Sequence, residues 1–154
     1  MLWFLNTLVT FPVGHDDGDD GISVMESLAR RGDSPPYHVH HTEDEVFHLL
    51  EGELVLLVGG ATRRVHAGET HLAPRGVPHT YRVVSDAARW LVTTTHGDFE
   101  RFVRAASRPA SQPLLPPPVG PPTADQQAEL AELSSRHGID LIGPPLAEEI
   151  AAAA

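Results

Sequence analysis

The sequence predicts an all-β fold, a sandwich or barrel of short strands carrying a helical appendage at its C-terminal end. Three observations carry this prediction. From Leu2 to Thr95 the chain runs through short apolar segments, several alternating with period two and bounded by Gly, Pro and Asp turn residues, as strands are. Helical signals are confined to residues after Phe99, where the apolar spacing and the stop residues change character. A length of 154 residues and 16.7 kDa suits one domain of ordinary size with chain enough for a core.

Taken in order, Leu2 to Val13 reads as one edge strand or dimer seam, with Trp3, Leu5, Thr7 and Val9 on one face and Phe4, Leu8 and Phe11 toward the other. It lacks a basic leader and is too short to span a bilayer, so a cytoplasmic protein is expected. Asp16 to Gly21 is an acidic run whose spacing misses that of a calcium loop, because Gly18 occupies a ligand position and Glu26 comes one residue early. It reads as a solvated hairpin tip. Ile22 to Ala29 is the partner strand, and Arg30 to Pro36 a loop that Pro35 and Pro36 stiffen. Glu45 to Val58 forms two strands turning near Gly52, and Gly59-Gly60 makes the next turn. Thr62 to His66, Thr70 to Ala73, His79 to Val84 and Arg89 to Thr95 continue the series.

Beyond Thr95, Phe99 to Ala106 suits a short helix. About half of the residues from Pro109 to Pro122 are proline, which favours an extended connector. Thr123 with Gln126 makes a capping box for a helix that Gly138 stops. Leu130 and Leu133 give that helix a narrow apolar stripe, suited to the outer surface. The division is residues 1–106 as the β domain and 107–154 as connector and packed helix.

Composition removes several functions. A formal net charge of -10 repels phosphate backbones and anionic lipid, so neither nucleic acid nor membrane is an expected partner. The chain has no cysteine, hence no thiolate nucleophile and no disulfide. It also has no lysine, so it forms no Schiff base and completes no phosphate-binding G-x4-G-K-[ST] loop. No serine sits in a G-x-S-x-G elbow. Metal chemistry remains.

Gly32 to Gly52 supplies it. His38 and His40, two apart in a strand, face the same way. The loop His41 to Asp44 resets the register, so Glu45 returns a carboxylate in phase with Phe47 and Leu49. Glu43 and Asp44 read as solvated loop, and His48 faces away from the pair. His79, after the turn at Pro74-Arg75-Gly76, is a further candidate ligand. Imidazoles and one carboxylate suit a divalent first-row ion.

At these residues the chain resembles the cupin superfamily. Gly32, His38, His40, Glu45 and Gly52 fit its first motif, G-x5-H-x-H-x3-4-E-x6-G, at every spacing. Gly68, Pro74, Gly76 and His79 fit its second, G-x5-P-x-G-x2-H-x3-N, with Val83 in place of the last residue. The resemblance implies a jelly-roll-like β-barrel in which His38, His40, Glu45 and His79 ligate one divalent ion: Ni, Fe, Co, Mn, Cu or Zn. Phe47, Tyr81 and Val83 are the expected substrate-pocket residues. The chain is most similar to small single-domain cupins related to quercetin 2,3-dioxygenase. That implies cleavage of a flavonol-like or other enol or phenol substrate with dioxygen, Glu45 acting as ligand and base, in a homodimer. The alternatives are a metal-assisted isomerase or cyclase that needs no dioxygen, and a small-ligand-binding module without catalysis.

Overall fold

Backbone hydrogen bonds sort the strands into two antiparallel sheets in the computed structural model, which describes residues 1–154. The first sheet takes β1 (Leu2–Phe4), β2 (Thr7–Val13), β3 (Ser23–Arg30), β5 (Glu45–Glu51), β8 (Thr70–Ala73), β10 (Ala87–Thr94) and β11 (Ser107–Pro109), in the order β11-β1-β2-β3-β10-β5-β8. The second takes β4 (Pro36–His40), β6 (Glu53–Val58), β7 (Ala61–His66), β9 (His79–Val83) and β12 (Ile139–Pro145), in the order β12-β4-β9-β6-β7. The chain crosses between the sheets repeatedly, in jelly-roll manner. No ladder joins one sheet to the other, so the expected barrel is an open β-sandwich. Period-two alternation tells inside from outside, but does not tell whether edges pair.

Register explains the core. Ser27, Trp90 and Leu49 lie across from one another on β3, β10 and β5, as do Met25, Val92 and Phe47, then Ser23, Thr94 and Glu45. Opposed residues share a face, and all nine are buried. Met25, Phe47, Leu49, Trp90 and Val92 among them meet Leu54, Leu56 and Val83 from the facing sheet in one apolar cluster. Removing any large member leaves a cavity costing about 2–5 kcal/mol. The same rows set Glu45 at the end of an otherwise apolar strip.

Two expectations about chain path are corrected. Leu2 to Val13 is a hairpin, not one strand, because Leu5 takes a φ of 52 and Phe4 pairs with Thr7 across a two-residue loop. The final residues are more than a surface helix. After α1 (Asp98–Ala106), β11 pairs with β1, and β12 pairs with β4 so that Ile139 lies across from His40 and Leu141 across from His38. Between these strands the proline-rich segment leads to α2 (Ala124–Ser135), where Thr123 and Gln126 close the capping box at 3.2 and 2.9 Å. Helix α2 lies against α1 and β12, and its Leu130 reaches the cavity between the sheets. A last short helix, α3 (Glu148–Ala152), packs Ala151 on Val55 and Leu146. The acidic run 16–20 is an exposed turn, as expected.

Candidate metal centre

The pleat of β4 sends His38 and His40 to the same face, β5 brings Glu45 from the opposite sheet, and β9 sets His79 directly across from His38. One donor atom from each of the four lies within 4.8 Å of the others. His79 Nε2 is 2.8 Å from Glu45 Oε2, and His40 Nε2 is 3.4 Å from the same oxygen. His40, Glu45 and His79 are buried, and His38 is half-buried beside the cavity.

Electrostatics reflect this crowding. Burial, with the His79 and His40 charges added, lowers His38 to about 3. Burial works to raise Glu45, but the three imidazoles outweigh it and hold the carboxyl at about 2. Burial likewise pulls His79 down, yet its hydrogen bond to Glu45 wins and the ring is raised. Both nitrogens of His40 are buried without a hydrogen-bond partner. Orphaned lone pairs beside an ionised carboxylate are what a cation satisfies, and three nitrogens with one oxygen suit first-row divalent ions. The four residues therefore fit the group.

The centre faces a cavity of about 60 Å³, walled mainly by apolar side chains. Phe47 and Tyr81 line it, together with Trp90, Phe99, Leu130 and Leu141. Val83 does not: it shares His79's face but lies four residues on, across from Leu54, inside the core. Tyr81 donates its hydroxyl to Asp33 at 3.2 Å, and Thr7 donates to the same oxygen. Burial raises Asp33, partly countered by those two hydrogen bonds.

The rival groups near the ligands separate clearly. His48 points outward to Thr70 and His41 to Asp140, each at hydrogen-bond distance. Asp44 accepts the N–H of Arg75 at the surface. Glu43 corrects the solvated-loop expectation: it is 1% exposed, and its carboxylate accepts the N–H groups of Asp98 and Phe99 at 2.9 and 2.7 Å. The helix N-terminus supplies the partners that solvent would have supplied.

Residues 24–94, from β3 through β10, match the cupin domain family, and all four candidate ligands lie within them. That segment is a cupin domain. Over 79 residues this cupin is 30% identical to quercetin 2,3-dioxygenase of Bacillus subtilis, covering 51% of this chain and 23% of that protein. Over 63 residues it is 43% identical to endoribonuclease YbeY of Myxococcus xanthus, covering 41% of this chain and 21% of that one. The chain thus spans under a quarter of either curated relative. Among solved structures, it is similar to the polyketide cyclase RemF from Streptomyces resistomycificus. That match has 25% identity and a TM-score of 0.54 and covers 62% of this chain and 72% of that one. No helix is long and apolar enough to cross a membrane.

Proposed function

We propose that this cupin is a metal-dependent dioxygenase acting on a small enol or phenol, with His38, His40, Glu45 and His79 as ligands. One observation supports this above the rest: three imidazoles and a carboxylate converge at the floor of an apolar cavity. A bound divalent ion supplies Lewis acidity and an open position for a substrate oxygen or for dioxygen. The residues do the remainder. The imidazoles hold the charge in place, the apolar wall excludes water, and Glu45 Oε2 is where a substrate proton is received.

A carboxylate that also ligates a cation is a weak base, so the substrate must present an oxygen acidified by its own delocalisation. Enols and phenols do. The cavity's roughly 60 Å³ falls below the about 150 Å³ that accepts benzene. A three-ring flavonol therefore requires wall residues to move aside, the partly exposed Leu5, Leu130 and Leu141 most readily, and a smaller enol suits the space better. The test loads the chain with each candidate ion and follows oxygen uptake with a panel graded from small enols to flavonols. Uptake with the small compounds, lost in Glu45→Gln, is expected; no uptake with any ion refutes the oxygenase reading.

The similarity to a polyketide cyclase favours a second reading, in which the same site moves a proton on a carbonyl compound without dioxygen. Turnover that persists under anaerobic conditions selects it. A homodimer working in the cytoplasm completes the proposal, and a light-scattering mass of one chain refutes the dimer.

A further inference from the structure

We propose that Glu43 positions the ligand His40 by accepting its Nδ1–H, and so ties helix α1 to the metal centre. This rests on reading the four-donor cluster as a metal site. The three imidazoles are not held alike. His38 Nδ1 lies 2.7 Å from the carbonyl oxygen of Pro36, and His79 Nδ1 2.9 Å from that of Val77. A carbonyl oxygen only accepts, so both rings carry their proton on Nδ1 and turn Nε2 toward the centre.

His40 has no such carbonyl. Its Nε2 faces Glu45 at 3.4 Å, the same inward edge as in the other two rings, while its Nδ1 lies 3.8 Å from Glu43 Oε2. That distance exceeds a hydrogen bond by less than about 1 Å, within the reach of a small ring rotation. The group opposite the outer nitrogen is therefore a carboxylate. Glu43 is itself fixed, because the N–H groups of Asp98 and Phe99 hold both its oxygens. The Phe99 ring lies 5.1 Å from the His40 ring, so α1 meets this ligand through two side chains. A carboxylate on the outer N–H makes an imidazole a stronger donor, and losing such a partner weakens metal binding about 10- to 100-fold.

The test measures zinc affinity of the full chain, by chelator competition, in wild type, Glu43→Gln and Glu100→Gln. Glu100 is an equally buried carboxylate on α1, but it holds the His15 N–H and Arg104, away from the cluster. Its replacement removes a buried carboxylate from α1 and leaves in place the Asp98 and Phe99 N–H groups that hold Glu43. Glu43→Gln is expected to bind zinc about 10- to 100-fold more weakly, and Glu100→Gln as wild type does. Proton–nitrogen spectra of the zinc-loaded protein are expected to show the His40 Nδ1–H downfield in wild type and moved upfield in Glu43→Gln. If Glu43→Gln does not fold, Glu43→Asp replaces it, keeping the charge and shortening its reach, with weaker binding again expected. Wild-type affinity in the Glu43 variant, an unmoved His40 signal, or equal loss in both variants overturns the proposal and leaves Glu43 a helix cap. Wild type that takes up no zinc refutes the metal centre itself, a result separate from any variant.

Discussion

Replacing Gly52 by alanine tests why the cupin motif ends in glycine. Gly52 joins β5 to β6 with a φ of 81, where a side chain is strained. An added Cβ would lie 2.3 Å from the Ala87 carbonyl oxygen, 2.6 Å from Ser85 Oγ and 2.9 Å from Ala88 Cα. The two backbone atoms belong to the start of β10, which pairs with β3 and cannot yield alone. Ser85 Oγ is also committed, accepting the Glu53 N–H at 2.8 Å and donating to Ala87 at 2.7 Å. The backbone conformation costs about 1–3 kcal/mol, the overlap a similar amount, and each disturbed hydrogen bond about 1 kcal/mol. Gly52→Ala should therefore lose about 4–8 kcal/mol, a large part of the about 5–15 kcal/mol that holds a domain folded. Gly76 is the control: its φ is 76, but nothing lies within 4 Å of an added Cβ. Only the backbone cost remains there, about 1–3 kcal/mol. Urea unfolding with a shared slope gives both values. Equal losses in the two variants, or a Gly52→Ala chain as stable as wild type, would refute the steric account.

Stability of the metal-free chain is expected to fall in acid. The unfolded chain takes up a proton at His38 below about 6.5 that the folded chain refuses until about 3, and Glu45 adds stability that is present above 4.5 and lost toward 2. His79, being raised, acts oppositely, its contribution full below 6.5 and lost as pH rises through its folded value. His38→Asn should flatten the slope between 6.5 and 3 in a circular-dichroism titration, and an unchanged slope counts against the burial of that ring. Zinc at one hundred times its Kd should stabilise the chain by about 2.7 kcal/mol, or about 5–11 °C in Tm. His79→Ala should abolish that shift. Tyr81→Phe removes one donor from Asp33 and should cost about 1–2 kcal/mol by urea unfolding. Leu130→Ala should shift substrate preference toward larger rings with zinc affinity unchanged, and a fall in affinity would show that α2 shapes the centre rather than the cavity wall.

The candidate ligands were legible because alternation and spacing are local. His38 and His40 share a face by counting, and Glu45 keeps phase with Phe47 and Leu49. His79 was reachable only through motif spacing, since its partner His38 is set by a long-range register. Glu43 was not legible. In a run of polar residues it resembles its solvated neighbours, and what buries it is a pair of backbone N–H groups more than fifty residues away. Strand β12 was hidden by Gly143, Pro144 and Pro145, which punctuate most chains but are tolerated on an edge where no second neighbour needs their N–H groups. The β1–β2 turn was hidden for the opposite reason, because leucine rarely signals a left-handed backbone.

These differences divide the molecule by role. All four candidate ligands lie in residues 24–94, the part shared with the cupin domain family. Much of the wall above them does not: Phe4 and Leu5 come from the first hairpin, Phe99 and Phe102 from α1, Leu130 from α2, and Leu141 from β12. The donor set can therefore persist while the volume and shape over it change with segments that the shared fold does not dictate. A common set of donors thus says little about what the cavity admits, and Leu130 and Leu141 bear more on its volume than any of the four donors does. Glu43 crosses that division. It belongs to the shared region by position yet is held by α1, so a shift of the wall reaches His40 through this buried carboxylate as well as through the Phe99 ring.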